Sequence, residues 1–291
     1  MFLVLSLIVI AVLSYIILHH VAPYAILQPQ KINESLTPQQ LGLNSKELKV
    51  IAEDGIELNG YWLESATDTT KGYMILIHGV GGCKEHFLGL AQDLAHRGIA
   101  SVVFDLRAHG TSGGQYCTYG AKEKKDIAQI VSAIQKRAPG LPIGIWGNSL
   151  GGAIALQSLE YDQRIAFGVI ESTFTDLSQI VIDYKKRILK GMGSKLVSDY
   201  VLKRAGEIGD FDPFKIKPIN AVKNIQQPVF IAHGDADKNI SYRYGQQLFK
   251  NLKTADKEFY LVEGGEHFGL FNQGGDAYKS KLMAFIDRNL K

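Results

Sequence analysis

Ser149 stands in Gly147-Asn-Ser-Leu-Gly151, directly after the apolar run Ile143-Gly-Ile-Trp146 and directly before Gly152-Ala-Ile-Ala-Leu-Gln157. A strand that passes through Gly-x-Ser-x-Gly into a helix must turn sharply. Glycines on both sides leave room for that turn and lift the serine hydroxyl clear of the backbone. The helix N-terminus behind Ser149 favours negative charge, as the oxyanion of an acyl-transfer reaction requires. These residue types point to an activated nucleophile. The plainer alternative is a glycine-rich turn in which serine is only a helix N-cap. What decides between them is whether the chain supplies the partners a nucleophile needs.

A nucleophilic serine needs a base, and the base needs an orienting acid. On a strand–turn–helix serine the chain order is Ser, then Asp or Glu, then His. Of eight histidines, His233 and His267 follow Ser149. The run Val229-Phe-Ile-Ala-His-Gly-Asp-Ala-Asp237 reads as a buried strand followed by a loop carrying Asp235 and Asp237, and His267 follows both acids in the glycine-rich Glu263-Gly-Gly-Glu-His267. Elimination by order gives Ser149, Asp237 and His267. Asp237 is preferred over Asp235 because it lies deeper in its loop, whereas Asp235 is expected to shape the turn through an Asx hydrogen bond. Glu171, closing the run Ala166–Glu171, is the other acid able to approach the histidine. His233 and His78 are expected to close their strands structurally.

The oxyanion needs donors. Tyr73-Met-Ile-Leu-Ile-His-Gly-Val-Gly-Gly82 reads as a second apolar strand ending in a glycine-rich loop. The amides of Val80 and of Leu150, the residue after the nucleophile, are the expected pair. The same loop also looks like the start of a dinucleotide-binding unit, but the third glycine of G-x-G-x-x-G is replaced by Lys84 and the loop begins with His78.

From about Gly72 onward the chain resembles the α/β-hydrolase superfamily. It is most similar to serine-aminopeptidase-like and membrane-anchored Bem46-like hydrolases. The residues that carry the likeness are His78-Gly-Val-Gly-Gly82, Asp105-Leu-Arg-Ala-His-Gly110, Gly147-Asn-Ser-Leu-Gly151, His233-Gly-Asp-Ala-Asp237 and Gly265-Glu-His267. The resemblance implies nucleophile, acid and base at Ser149, Asp237 and His267, with Val80 and Leu150 lining the oxyanion hole. It also implies an α/β fold with a mostly parallel eight-stranded sheet, helices on both faces and a small helical cap. Ala108 departs from the pattern, since these families often carry glycine in that turn. The implied activity is ester cleavage of the carboxylesterase or lipase kind. Aminopeptidase-like and acyl-thioesterase activities are the alternatives, and a binding protein on an inactive scaffold is the non-enzyme reading.

The surrounding elements follow from pattern. Glu47–Ala52 and Ile56–Leu63 around Asp54-Gly55 form a hairpin. Strands and helices then alternate, which calls for a parallel sheet covered on both faces. The domain is expected over residues 46–291, with a cap insertion at about 174–227 holding helices over Leu177–Leu189 and near Lys195–Arg204. Ile180, Val181, Ile188 and Leu189 either wall an apolar acyl pocket or anchor the cap. Lys185, Lys186, Arg187 and Lys190 form a basic patch, by default a solvated face, with anionic headgroups as the other reading.

Phe2 to Leu18 carries no charge and reaches the lower limit of about 17 residues for a spanning helix, with Val21 and Ala22 able to extend it. No Lys or Arg precedes it and no A-x-A cleavage site follows, so an uncleaved anchor over residues 1–22 is favoured over a secretory signal. Residues 23–45 then read as a tether. Membrane orientation is open, because Lys31 is the first basic residue.

The chain has 291 residues and a net charge of +3, too small to argue for nucleic acid as a partner. The expected partners are an acyl or other small-molecule substrate and the membrane. Asp105, Arg107 and His109 are expected to brace loops by hydrogen bonds and an Asp–Arg pair rather than bind metal. No zinc-type spacing is present, and neither a metal nor an organic cofactor is expected. Cys83 and Cys117 fall on loops expected to meet near the site, and two free thiols are favoured over a disulfide.

Overall fold

The computed structural model describes residues 1–188, 190–191 and 194–291. Its strands are β1 (Ser45–Ile51), β2 (Glu57–Leu63), β3 (Gly72–Ile77), β4 (Ile99–Phe104), β5 (Ile143–Asn148), β6 (Phe167–Glu171), β7 (Val229–Gly234) and β8 (Lys257–Val262). They form one eight-stranded sheet in the order β1-β2-β4-β3-β5-β6-β7-β8. The β1–β2 and β2–β4 pairings are antiparallel, and all pairings from β4 to β8 are parallel. The hairpin turns at Gly55, whose φ of 81° is a conformation glycine adopts without strain.

The helices are α1 (Phe2–Ile16), α2 (Ala22–Leu27), α3 (Leu88–Ala95), α4 (Glu123–Arg137), α5 (Leu150–Tyr161), α6 (Leu177–Ile188), α7 (Lys195–Gly209), α8 (Pro218–Ala221), α9 (Tyr242–Asn251), α10 (Leu270–Gln273) and α11 (Gly275–Asn289). β3 to β7 are buried along their length, which explains their unbroken apolar sequence, with alternate side chains pointing to opposite faces. Tyr73, Ile75 and Ile77 of β3 pack in one core with Ile127 and Ile130 of α4, Ile154 of α5 and Leu248 of α9. Met74 and Leu76 face the other way, into a core with Leu88 of α3 and Leu282 and Phe285 of α11. Burying such an aliphatic side chain is worth about 1.5–3 kcal/mol, so the two cores hold the central strands rigidly beneath the loops at their C-terminal ends.

A third cluster joins the cap to this base, with Leu177 and Ile180 of α6 and Leu202 of α7 against Ala153, Phe174, Ile216 and Ile240. The first cap helix ends at Ile188, and Leu189 lies outside the described residues. The second runs past Arg204 to Gly209.

The N-terminal segment departs from the boundary expected at residue 22. Helix continues from α1 through a π-helical turn at Ile17–Val21 into α2, so Phe2–Leu27 is a 26-residue helical stretch of mean hydropathy 2.7, long and apolar enough to cross a membrane. Pro23 falls at the start of α2, just after the turn where π-helical bonding gives way to α-helical bonding. The stretch expected as a tether also lies against the sheet domain. Leu27 is fully buried, its carbonyl accepts from the Cys117 amide (2.8 Å), and the Ile26 carbonyl accepts from the Tyr119 hydroxyl (2.7 Å). Farther on, Lys31 Nζ donates to the Ser112 carbonyl at 3.0 Å, and Pro38–Leu41 forms a 3₁₀ turn entered by a Thr37–Gln40 capping box.

Candidate active site

Ser149 sits between the end of β5 and the start of α5 with φ 53° and ψ −119°, a left-handed conformation that a non-glycine residue holds only under strain. The surroundings force this conformation. A Cβ on Gly147 would lie 2.2 Å from the Gly151 carbonyl oxygen, and one on Gly151 would lie 2.1 Å from that of Ile77, so side chains at either position would prevent the close approach of β5, α5 and β3. The Ser149 amide donates to the Glu171 carbonyl (2.9 Å) and its carbonyl accepts from Thr173 Oγ1 (2.7 Å), fixing the turn from the β6 side.

His267, in the loop between β8 and α10, places Nε2 3.0 Å from Ser149 Oγ and Nδ1 2.7 Å from Asp237 Oδ2. An imidazole next to a carboxylate carries its proton on the facing nitrogen. Nδ1–H therefore donates to Asp237, and Nε2 is left to accept the Ser149 hydroxyl proton. All three side chains are buried. The structure thus brings Ser149, Asp237 and His267 together within hydrogen-bond reach.

Asp237 is held on every side. Oδ1 accepts the amides of Asn239 (2.7 Å) and Ile240 (2.9 Å), and Oδ2 accepts from His267 and, at 3.2 Å, from Nε2–H of His233. Burial opposes its charge, but the hydrogen bonds from His233 and His267 prevail and hold the carboxyl well below the usual carboxylate range. The local turn is therefore made by Asp237 and not by Asp235, which instead accepts the Gly264 amide (2.7 Å) and ties its loop to the loop bearing His267. Glu171 does not reach the histidine. Its side chain accepts the Tyr278 hydroxyl (2.5 Å) on the α11 side, and burial raises its pKa.

The loop Gly79–Gly82 approaches from β3, and an added Cβ at Gly79 would lie 3.3 Å from that of Ser149. Buried His78 fixes this loop, with Nδ1–H donating to the Gly79 carbonyl (2.7 Å) and Nε2 accepting the Leu106 amide (3.0 Å). Burial first, and His109 beside it, lower the His78 pKa to about 3, so the ring is a neutral structural strut. Among the described residues no backbone acceptor takes the amide of Val80 or of Leu150. Val80, Leu150 and Ser149 all line one cavity of about 520 Å³. Its other walls are the cap residues Ile180, Val181 and Ile188, and Leu18, Ala22, Ala25 and Ile26 from the N-terminal helix.

Residues 68–209 match the family described as "Serine aminopeptidase, S33". The chain is 26% identical to the monoglyceride lipase of Homo sapiens over 273 residues, covering 82% of this chain and 88% of that protein. It is also 26% identical to the protein YqkD of Bacillus subtilis, covering 80% and 76%. The esterase Pf2001 of Pyrococcus furiosus superposes with a TM-score of 0.75 at 24% identity, covering 90% of this chain and 98% of that one. The chain has the α/β-hydrolase fold.

Around the site of this hydrolase, the Asp105–Arg107–His109 group is wired differently from the expected Asp–Arg pair. Asp105 accepts from the Lys84 amide and Nζ, both at 2.8 Å, and from the Thr111 amide, so it pins the end of the Gly79–Gly82 loop. Arg107 pairs with Asp126 (2.6 Å) and Asp54 (2.9 Å), reaching back to α4 and the β1–β2 hairpin. The two neighbours in sequence face different elements, so each takes its counter-ion from elsewhere. Ala108 has φ 62°, where the family's glycine is unstrained.

Cys83 and Cys117 are both free and buried. Burial, then Glu85, pushes the Cys83 thiol up to about 12, so it is no nucleophile at neutral pH. Glu34, Cys83 and His86 bring three metal-type ligand atoms within 4.8 Å of one another, residues whose separation in sequence hides the grouping. That raised thiol pKa opposes the deprotonation a thiolate ligand requires.

Sequence reasoning missed the part played by His233. It is more than a strand end, since its Nε2–H supports Asp237 from below while also donating to the Ile240 carbonyl (2.9 Å). The spacing of His233 and Asp237, four residues apart across a strand end, was the available signal.

Proposed function

We propose that this chain is a serine hydrolase that cleaves carboxylic esters with an apolar acyl group through an acyl-enzyme. Ser149 Oγ attacks the ester carbonyl carbon as His267 Nε2 takes its proton, and Asp237 stabilises the resulting imidazolium. The amides of Val80 and Leu150 stabilise the oxyanion of the tetrahedral intermediate, a contribution of about 2.7–4 kcal/mol per donor. The carbon–oxygen bond to the alcohol then breaks and His267 returns the proton to the leaving oxygen. Water repeats the sequence on the acyl-enzyme and releases the acid.

The observation that carries this reading is the hydrogen-bonded run Ser149–His267–Asp237 opening onto an apolar cavity. The names of the relatives, a monoglyceride lipase and an esterase, support the ester class. A peptidase reading follows from the family's description, but recognising a substrate's N-terminal amine calls for an acidic group. Among the described residues no carboxylate lines the cavity.

The helix Phe2–Leu27 is read as an uncleaved membrane anchor. Support comes from Ala22, Ala25 and Ile26, which line the cavity, and from Leu27, which is fully buried, since signal cleavage would remove part of the site. The test of the function is turnover of p-nitrophenyl esters, acyl thioesters and aminoacyl amides by the full chain and by Ser149→Ala. Esters should be the preferred class, and the variant should lose turnover while its melting temperature changes little. Unchanged ester hydrolysis by Ser149→Ala would remove the serine from the mechanism.

A further inference from the structure

The N-terminal helix changes character along its length. Every side chain from Phe2 to Ile16 is exposed, and all but Ser6, Ser14 and Tyr15 are apolar, as suits lipid on all sides. Past the π-helical turn the same helix packs on the enzyme. His19 Nδ1 lies 2.7 Å from the Tyr200 hydroxyl of α7, and Leu18, Ala22, Ala25 and Ile26 form one wall of the cavity that holds Ser149. One helical stretch therefore runs from fully exposed apolar turns to the cavity that holds Ser149.

The cap also carries exposed apolar side chains at and near the cavity. Ile188 of α6 is 72% exposed while still lining the cavity, and Leu196 of α7 is 80% exposed. Apolar side chains of this size, next to a spanning helix, fit the acyl boundary of a membrane. Beside them Lys186 and Lys190 are exposed, and basic residues next to a spanning helix are attracted to anionic headgroups. The cap and the N-terminal helix thus both carry exposed apolar side chains and both line the cavity that holds Ser149. A cavity opening to water through an apolar rim would expose that rim at a cost of about 25 cal/mol per Å². Opening to lipid avoids that cost.

We propose that the substrate is a membrane-resident ester of a long-chain fatty acid, which slides from the bilayer between the anchor helix and the cap without passing through water. The inference rests on the ester-hydrolase reading and adds the source of the substrate and its route. On this account the anchor forms part of the acyl site, with small side chains at Ala22 and Ala25 leaving room for the chain.

The test uses the full-length protein in phosphatidylcholine–phosphatidylserine vesicles. The probes are 4-methylumbelliferyl oleate carried in the bilayer and water-soluble p-nitrophenyl acetate. Oleate placed in the same vesicles as the enzyme should be cleaved at least about tenfold faster than oleate in separate vesicles, and Ala22→Trp or Ala25→Trp should lower the oleate-to-acetate ratio of kcat/KM by about tenfold or more. Equal rates from the two vesicle populations, or an unchanged ratio in both tryptophan variants, would overturn the lateral route. Cleavage of neither ester, with no labelling by a fluorophosphonate, would instead bring down the hydrolase reading beneath it.

Discussion

Replacing Asp237 by Asn tests how the histidine is made a base. The carboxylate accepts four hydrogen bonds, two from backbone amides on Oδ1 and two from imidazoles on Oδ2. An amide has one acceptor oxygen. If that oxygen stays with Asn239 and Ile240, the new NH₂ faces His267 Nδ1 and forces the tautomer that carries its proton on Nε2. The nitrogen meant to take the Ser149 proton, 3.0 Å away, then already holds one. If the amide flips, its NH₂ is driven against two backbone donors in a buried loop. The geometry favours the first outcome, because the backbone amides cannot move. Loss of the correct tautomer costs about 10⁴-fold in kcat, equal to about 5.5 kcal/mol of transition-state stabilisation. The assay is kcat for a p-nitrophenyl ester near pH 7, with melting temperature and circular dichroism to establish that the variant is folded. A folded Asp237→Asn enzyme that keeps kcat within about tenfold of the parent would refute this account of the carboxylate.

Two other perturbations probe the scaffold. His78 has a folded pKa of about 3 against an ordinary 6.5, so the unfolded chain binds the extra proton between those values and stability is lost as pH falls through that window. His109, also lowered by burial, acts in the same direction. Urea melts between pH 6.5 and 4.5 should show His78→Gln losing less stability than the parent, by up to about 1.4 kcal/mol per pH unit, and identical slopes would contradict a buried neutral ring. Leu27→Ala should cost about 2 kcal/mol or more in detergent, because the side chain is fully buried. A loose tether would instead leave stability within about 0.5 kcal/mol.

The parts of the molecule legible in the sequence are those set by local pattern or chain order. β3, β5 and β7 are buried on both faces and so read as unbroken apolar runs. The Ser149 turn declared itself through two glycines whose positions leave no room for a Cβ. Chain order alone singled out His267. What stayed hidden depends on contacts between distant segments. Lys84 reaching Asp105, and Arg107 reaching Asp126 and Asp54, could not be read from neighbours in sequence. The choice between Asp235 and Asp237 for the local turn was reversed because the two loops carrying Asp235 and Gly264 meet only in the folded chain. The polar composition of residues 28–45 suggested a tether, and nothing local revealed that Lys31 and Leu41 have partners on the enzyme. The apolar N-terminal helix gave no sign that its last turns line the cavity, since bilayer and acyl chain ask for the same side chains.

The most direct test of the central claim is to locate the covalent adduct formed with a fluorophosphonate. The full-length enzyme, labelled at neutral pH and digested, should carry one phosphonate on the peptide containing Ser149, and His267→Ala should slow its formation by orders of magnitude. A folded enzyme that takes no label at Ser149, or that labels equally fast without the imidazole, would contradict the claim that these side chains act as one nucleophilic unit.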